Sequence, residues 1–387
     1  MSSSFFLCDY ESIIYLSMSH THTLINDIRT TSDFRATSFS QYKMAEVRKE
    51  FLNAIHAGKI EPACYWGAEM VCSGHLSDIW DLLIQYMSRY IHLANPKIAV
   101  YLDMRYNIFR NIASNVFLNE LELRNHEKIR KLFAEVVCTL TLSNKKPSLE
   151  PMKINRAHDF DMTRIGDRLK APSLEYAQAI FRPKDPKEMF IAVNEFAYHV
   201  SPASRDMSRA CYWIEWAMEF EQICKQRKQP CPCERRAHPI DLKYTKDVIW
   251  LFWEVMMCNA VNGQQHSPLI EKTMQSLLRL FCVKYTTAAG KRRRFLLYYA
   301  IGLLTESSVS IHADMMPDRA LLETVVHQID HVYRQIKKNE VSPQTDYLFD
   351  GVEQPNSTER ILQQLELVNQ ADRFGERVLE QPTAETI

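Results

Sequence analysis

The sequence predicts an all-α protein of two related multi-helix units, and three observations carry that prediction. Only nine of 387 residues are glycine, against an average of roughly 7%, and glycine supplies the positive-φ positions of hairpin turns and phosphate-cradling loops. Apolar residues recur at helical spacing, as in Val47, Phe51, Leu52 and Ile55. A set of tryptophan-containing landmarks occurs twice in the same order. Sandwiches, barrels and glycine-rich nucleotide folds are thereby disfavoured. Lys+Arg and Asp+Glu balance at 47 each, which argues against a broadly basic nucleic-acid-coating surface but leaves room for local patches. No apolar run reaches the roughly 18 residues of a spanning helix, and the start lacks the basic region of a secretory leader. The expectation is a soluble intracellular protein without membrane contact. Ten cysteines, several inside apolar helical runs such as Cys138 and Cys258, fit a reducing compartment.

Residues 1–40 are rich in Ser, Thr and His and read as a poorly ordered arm with a short helix around 11–17; Met18 and Met44 are alternatives to Met1 as the start. The first helical unit spans 41–142. Its first helix ends at Gly58, and Pro62 suits the first turn of the next, over 63–71. Ser77-Asp78 is expected to cap a helix over 79–93, and Asn95-Pro96 to open one reaching 115. The helix over 121–142 has a broad apolar face of Leu132, Val136, Val137 and Leu140. Residues 143–186 hold Pro147, Pro151, Pro172, Pro183 and Pro186 and read as a proline-rich connection with one short helix near 173–180. The second helical unit covers 187–340, with an inserted loop at 224–243. The remainder, 341–387, reads as a mobile tail with an amphipathic helix over 358–379 that aligns Ile361, Leu362, Leu365 and Val368.

The duplication rests on shared landmarks. Ala-Cys-Tyr-Trp occurs at Ala63–Trp66 and at Ala210–Trp213, each time after a Lys-Glu-hydrophobic helix. An Asp-hydrophobic-Trp segment follows, ending at Trp80 or Trp250, and then a proline, Pro96 or Pro268, opens a helix. Trp66, Trp80, Trp213 and Trp250 are expected to anchor the repeat as core residues rather than to line a ligand box.

Between its landmarks the second copy carries Cys224, Cys231, Cys233 and His238. Zinc takes four thiolate or imidazole ligands in a tetrahedron, but this spacing matches no standard finger. A loop of unmetallated thiols is the leading reading, with a zinc site and a redox disulfide as alternatives. The same loop holds Lys225, Arg227, Lys228, Arg235 and Arg236, and a second basic run, Lys291, Arg292, Arg293 and Arg294, is expected at a helix start. That placement opposes the helix dipole and draws attention to an anionic partner, either an acidic protein or nucleic acid. No Walker-A loop, paired-glycine dinucleotide loop or Gly-x-Ser-x-Gly elbow occurs. His327 and His331 read as an exposed helix face, His158-Asp159-Phe160-Asp161 as a solvated loop, and Asp103, Arg105 and Glu135 as ion-pairing residues between helices.

Several runs support a wider likeness. They include Phe39–Lys43, Ile60–Trp66, Cys72–His75, Tyr90–His92, Asn95–Lys97, Ile129–Glu135, Leu142–Lys146, Leu169–Pro172, Ala210–Trp216 and Cys233–Arg236. Over most of 35–300 the chain resembles a helical protein of nucleocytoplasmic large DNA viruses, of phycodnavirus and giant-virus type. The resemblance implies a viral origin and a core viral process, in host cytoplasm, viral factory or virion, and it transfers no catalytic residue. A shorter stretch, Ala54–Gly74, resembles the helical oligomerisation region of clamp-loader-like ATPases, without the ATPase module. The expected function is a non-enzymatic scaffold or accessory protein that binds other viral proteins, with self-assembly as a further option and no cofactor apart from the zinc alternative. A DNA- or RNA-binding accessory factor using 225–236 and 291–294 is the second reading, and an enzyme the third.

Overall fold

In the computed structural model the described residues are 24–115, 119–161, 163–262, 267–306 and 318–341. They form an all-α fold with no strand among them beyond an isolated bridge between Thr37 and Lys43. The short helix expected over 11–17 and the tail helix over 358–379 fall outside these residues. The chain divides at Glu340, with residues 341–387 as a separate unit.

Helices α1 (Met44–His56), α2 (Ile60–Cys72) and α5 (Glu127–Leu142) pack on one another through Val47, Phe51, Ala63, Met70, Leu132 and Val136. Helix α3 (Leu76–Tyr86) continues through a π-helical turn, Met87–Ile91, into a 3₁₀ turn, His92–Ala94; α4 (Ile98–Asn115) follows. Ser77-Asp78 does not cap α3, because the helix already begins at Leu76 and Ser77 lies in its first turn. Gly58 follows α1 as expected, with φ of +72°, and Gly74 follows α2 in the same way, with φ of +74°.

Among its described residues the connection contains only a one-turn helix, α6 (Arg156–Asp159), and a 3₁₀ turn, Ile165–Arg168; residues 173–180, expected to be helical, form bends and turns. Asn194 explains the difference. Its side chain accepts from the Ala177 amide and donates to the Ser173 carbonyl, tying those backbone groups to the next helix instead of to each other. That helix, α7 (Phe190–Val200), packs on α8 (Met207–Gln226); α9 (Ile249–Asn262), α10 (Pro268–Cys282), α11 (Thr287–Arg292) and α12 (Arg294–Thr305) complete this half.

Two expectations about the ends differ. Residues 24–40, read as part of a poorly ordered arm, are built into the core: Ile25, Phe34 and Phe39 are buried, and the Ser38 hydroxyl and Ser40 amide both donate to the buried Glu69 carboxylate of α2. The last helix, α13 (Arg319–Lys337), was grouped with the second unit but packs on α2 and α5. Leu322, Ile329, Tyr333 and Ile336 are its buried face, and the Arg130 guanidinium lies 4.2 Å from the centre of the Tyr333 ring.

The halves share one apolar cluster. Helix α10 packs on α4, and α12 packs on the π turn after α3. The repeat anchors differ in setting. Trp66 is half-buried against Tyr42 and Tyr65, whereas Trp213 is buried beside Trp216. Trp80 packs on Tyr106, Phe109 and Phe133, and Trp250 on His238, Phe281 and Tyr285. This packing does not establish a duplication.

Candidate functional site

Along α8, residues 213, 216, 220, 223 and 227 follow one another at three- and four-residue steps, so Trp213, Trp216, Phe220, Ile223 and Arg227 form a single stripe. The proline-rich connection folds over this stripe. The Trp216 indole donates to the Asp159 carbonyl at 2.9 Å, and the buried Asp159 carboxylate accepts from the Asn155 amide at 2.8 Å and from Arg168 at 3.0 Å. Asp159 is thus a fixing point and not part of a solvated loop. Phe160 is thereby held 5.0 Å from Trp216, and Trp216 stacks on Phe220 with centroids 5.2 Å apart.

An open trough of about 660 Å³ lies between these parts, within the range typical of ligand pockets. Its floor is apolar, with Phe160, Ile165 and Leu169 from the connection, Ile191 and Ala192 from α7, and the α8 stripe. Ile191 is 36% exposed despite its size. Arg156, Lys187, Gln226 and Arg227 stand on the rim, with Glu188 as the one lining carboxylate. Arg156 is paired with Glu219, while Lys187 and Arg227 are exposed and form no ion pair among the described residues. The rim is therefore net positive over an apolar floor. Trp213 is buried in the core cluster and also lines the trough; periodicity marks a face as apolar without saying what covers it. Phe160 lies in the run 158–161 that reads as a solvated loop, but its ring packs on Trp216 and Phe220.

Among the described residues no three His, Cys, Asp or Glu side chains form a metal-holding group. Cys224 and Cys231 are half-buried neighbours. Cys233 is buried near Asp185 and Arg236. His238 lies with its ring 4.4 Å from that of Trp250. The basic residues are divided. Lys225, Arg227, Lys228, Arg235 and Arg292 are exposed, Lys225 pairing with Glu221 at 3.2 Å and Arg292 with Asp81 at 3.7 Å. Arg236, only 3% exposed, is buried with Asp185 and donates to Glu254 at 2.9 Å.

The run 291–294 does not open a helix. Lys291 and Arg292 end α11, where cations suit the dipole, Arg293 is the junction, and Arg294 starts α12. Arg293 is buried against Asp81 at 2.8 Å and donates to the Phe281 carbonyl at the end of α10. Arg294 pairs with the buried Glu215 at 2.9 Å, and Lys291 donates to Gln222. Asp103 and Glu135 pair with Arg279 and Arg105, in each case between helices as expected. His327 and His331 lie on the exposed face of α13. No helix among the described residues is long and apolar enough to cross a membrane. No protein-family model, curated protein or solved structure matches the chain.

Proposed function

We propose that this chain is a non-enzymatic helical binding protein whose trough docks an acidic amphipathic segment of a partner protein. The observation that supports this most is an apolar floor, with Ile191 exposed on it, beside two rim cations that form no ion pair among the described residues, Lys187 and Arg227, and one lining carboxylate, Glu188. Apolar side chains of the segment would fill the floor, and its carboxylates would meet the rim cations, which sets orientation and association rate more than affinity. The setting we propose is the one the sequence resemblance implies, a viral process in which this chain holds another protein.

The test is fluorescence anisotropy with a labelled synthetic helix bearing leucines on one face and glutamates on the other, alongside the same helix with lysines in place of glutamates. The acidic helix should bind, the basic one should not, and Ile191→Glu and Arg227→Glu should each weaken binding several-fold while leaving thermal unfolding unchanged. Equal or absent binding of the two helices, or binding to nucleic acid alone, would replace this reading.

A further inference from the structure

Helix α8 ends in a turn that presents two thiols to one another. The Gln229 amide donates to the Cys224 carbonyl at 2.9 Å and the Lys228 amide to the Lys225 carbonyl at 3.2 Å. With Lys228 at φ +57°, these bonds form the paired pattern of a Schellman helix end, here with lysine where glycine is usual. The chain is thus turned back along α8 directly after Arg227. On the far side the Cys233 amide is fixed to the Lys246 carbonyl at 2.9 Å. Cys231 hangs between these two fixed points, with Pro230 and Pro232 restricting the backbone on either side of it. Its thiol meets that of Cys224 in the last turn of α8, both are free, and both are partly open to solvent. Cys233 is the deeper of the three.

We propose that Cys224 and Cys231 are a modification site, a dithiol that closes reversibly to a disulfide and locks the turn carrying Arg227. Regulation of the trough by this lock rests on the docking function proposed above; formation of the bond does not.

The co-reactant is a small-molecule disulfide of the glutathione type. Burial, and then the neighbouring Cys224 thiol, push the Cys231 thiol up to about 12; in the exchange Cys224 attacks first and Cys231 resolves. The Cys224 thiolate attacks one sulfur of the small disulfide, and one small thiolate leaves. The Cys231 thiol then loses its proton and displaces the second, aided by its enforced proximity. Two protein thiols are oxidised, one small disulfide is reduced, and two small thiols are released. Because the thiols are already adjacent with Arg227 on the rim, closure fixes the geometry seen here and should tighten docking of an acidic segment by pre-organisation.

The experiment treats the full chain with oxidised glutathione and maps linkages by non-reducing digestion and mass spectrometry. The expected product is a Cys224–Cys231 link, absent in Cys224→Ser and Cys231→Ser and kept in Cys258→Ser, with slower tryptic cleavage after Arg227 and Lys228. Links through Cys233, persistent glutathione adducts, or unchanged cleavage would overturn the lock. In the anisotropy assay the oxidised chain should hold the acidic helix several-fold more tightly. An affinity unchanged by oxidation would sever the lock from the trough. Failure of the helix to bind in either state would remove the docking function, with the linkage map and cleavage rates still deciding the lock.

Discussion

Arg236 shows how much of this chain's charge works inside the protein. Burial alone would push its proton affinity down, but Asp185 and then Glu254 outweigh burial and keep the guanidinium charged. Asp185 is likewise held below the usual carboxylate range by Arg236 and by the Arg182 and Glu234 amides, against the upward push of burial. Removing one partner of such a pair strands the other in a poorly solvated site. Arg236→Met should therefore cost about 3–5 kcal/mol in urea unfolding. The double variant with Asp185→Leu should recover much of that loss, since a buried pair exchanged for apolar groups is often near neutral. If the double variant is as unstable as the single one, the pair is not the reason. His238 gives a pH signature at the same scale. Burial lowers its pKa, opposed by Glu254 and reinforced by Arg236, and its ring lies on Trp250. A histidine with a depressed folded-state pKa binds its proton more readily in the unfolded chain. The stability it gives is present above its ordinary value of about 6.5 and is lost as the pH falls below it. His238→Phe keeps the ring contact and should flatten the loss of stability between about pH 7 and about pH 5.5; an unchanged slope there would assign that loss to other groups.

At the scale of the helix, the ends decide what the sequence revealed. The interiors of α1, α2, α4 and α5 were legible because three- and four-residue spacing of apolar groups has one cheap solution. Ends were less so. The 291–294 run was read as the start of a helix because four cations in a row carry no mark of where one helix stops, whereas the structure divides them between the end of α11 and the start of α12. The trough was illegible for a related reason. Its floor pairs the regular α8 stripe with Phe160, which reaches it only because Asp159 is tied to Trp216, Asn155 and Arg168. One long-range bond, from Trp216, and two bonds within the connection, from Asn155 and Arg168, set that position, and the long-range one has no local pattern. The end of α8 makes a prediction of its own. Lys228 occupies a left-handed position that costs an L-residue about 1 kcal/mol, and its side chain is exposed. Lys228→Gly should therefore raise stability by up to about 1 kcal/mol, read as a higher urea midpoint with an unchanged slope. A lower midpoint would mean that the turn is not strained.

For the whole molecule the question is whether the two halves read from the sequence are independent bodies, and the packing through residue 340 answers that they are not. Helix α13 follows the second half in the chain but buries Leu322, Ile329, Tyr333 and Ile336 against α2 and α5 of the first. Four such side chains at roughly 1.5–3 kcal/mol each represent of order 6–12 kcal/mol, as much as the entire net stability of a typical domain, about 5–15 kcal/mol. The first half is thus left incomplete wherever the chain is cut before α13. The second half depends on the first in turn. Arg279 of α10 is paired at 2.7 Å with the buried Asp103 of α4, and the buried Arg293 is paired with Asp81 of α3. Separating the halves would leave Asp103 and Arg293 without their counter-charges as well as exposing the apolar faces of α4, α10 and α12. Fragments 24–186 and 187–341, made separately, should each lack a cooperative thermal transition, and the chain 24–341 should unfold in one step with coincident near- and far-ultraviolet circular dichroism. A sigmoidal transition from either fragment alone would show that half to be a domain in its own right, and would restore the boundary that the proline-rich connection suggests in the sequence.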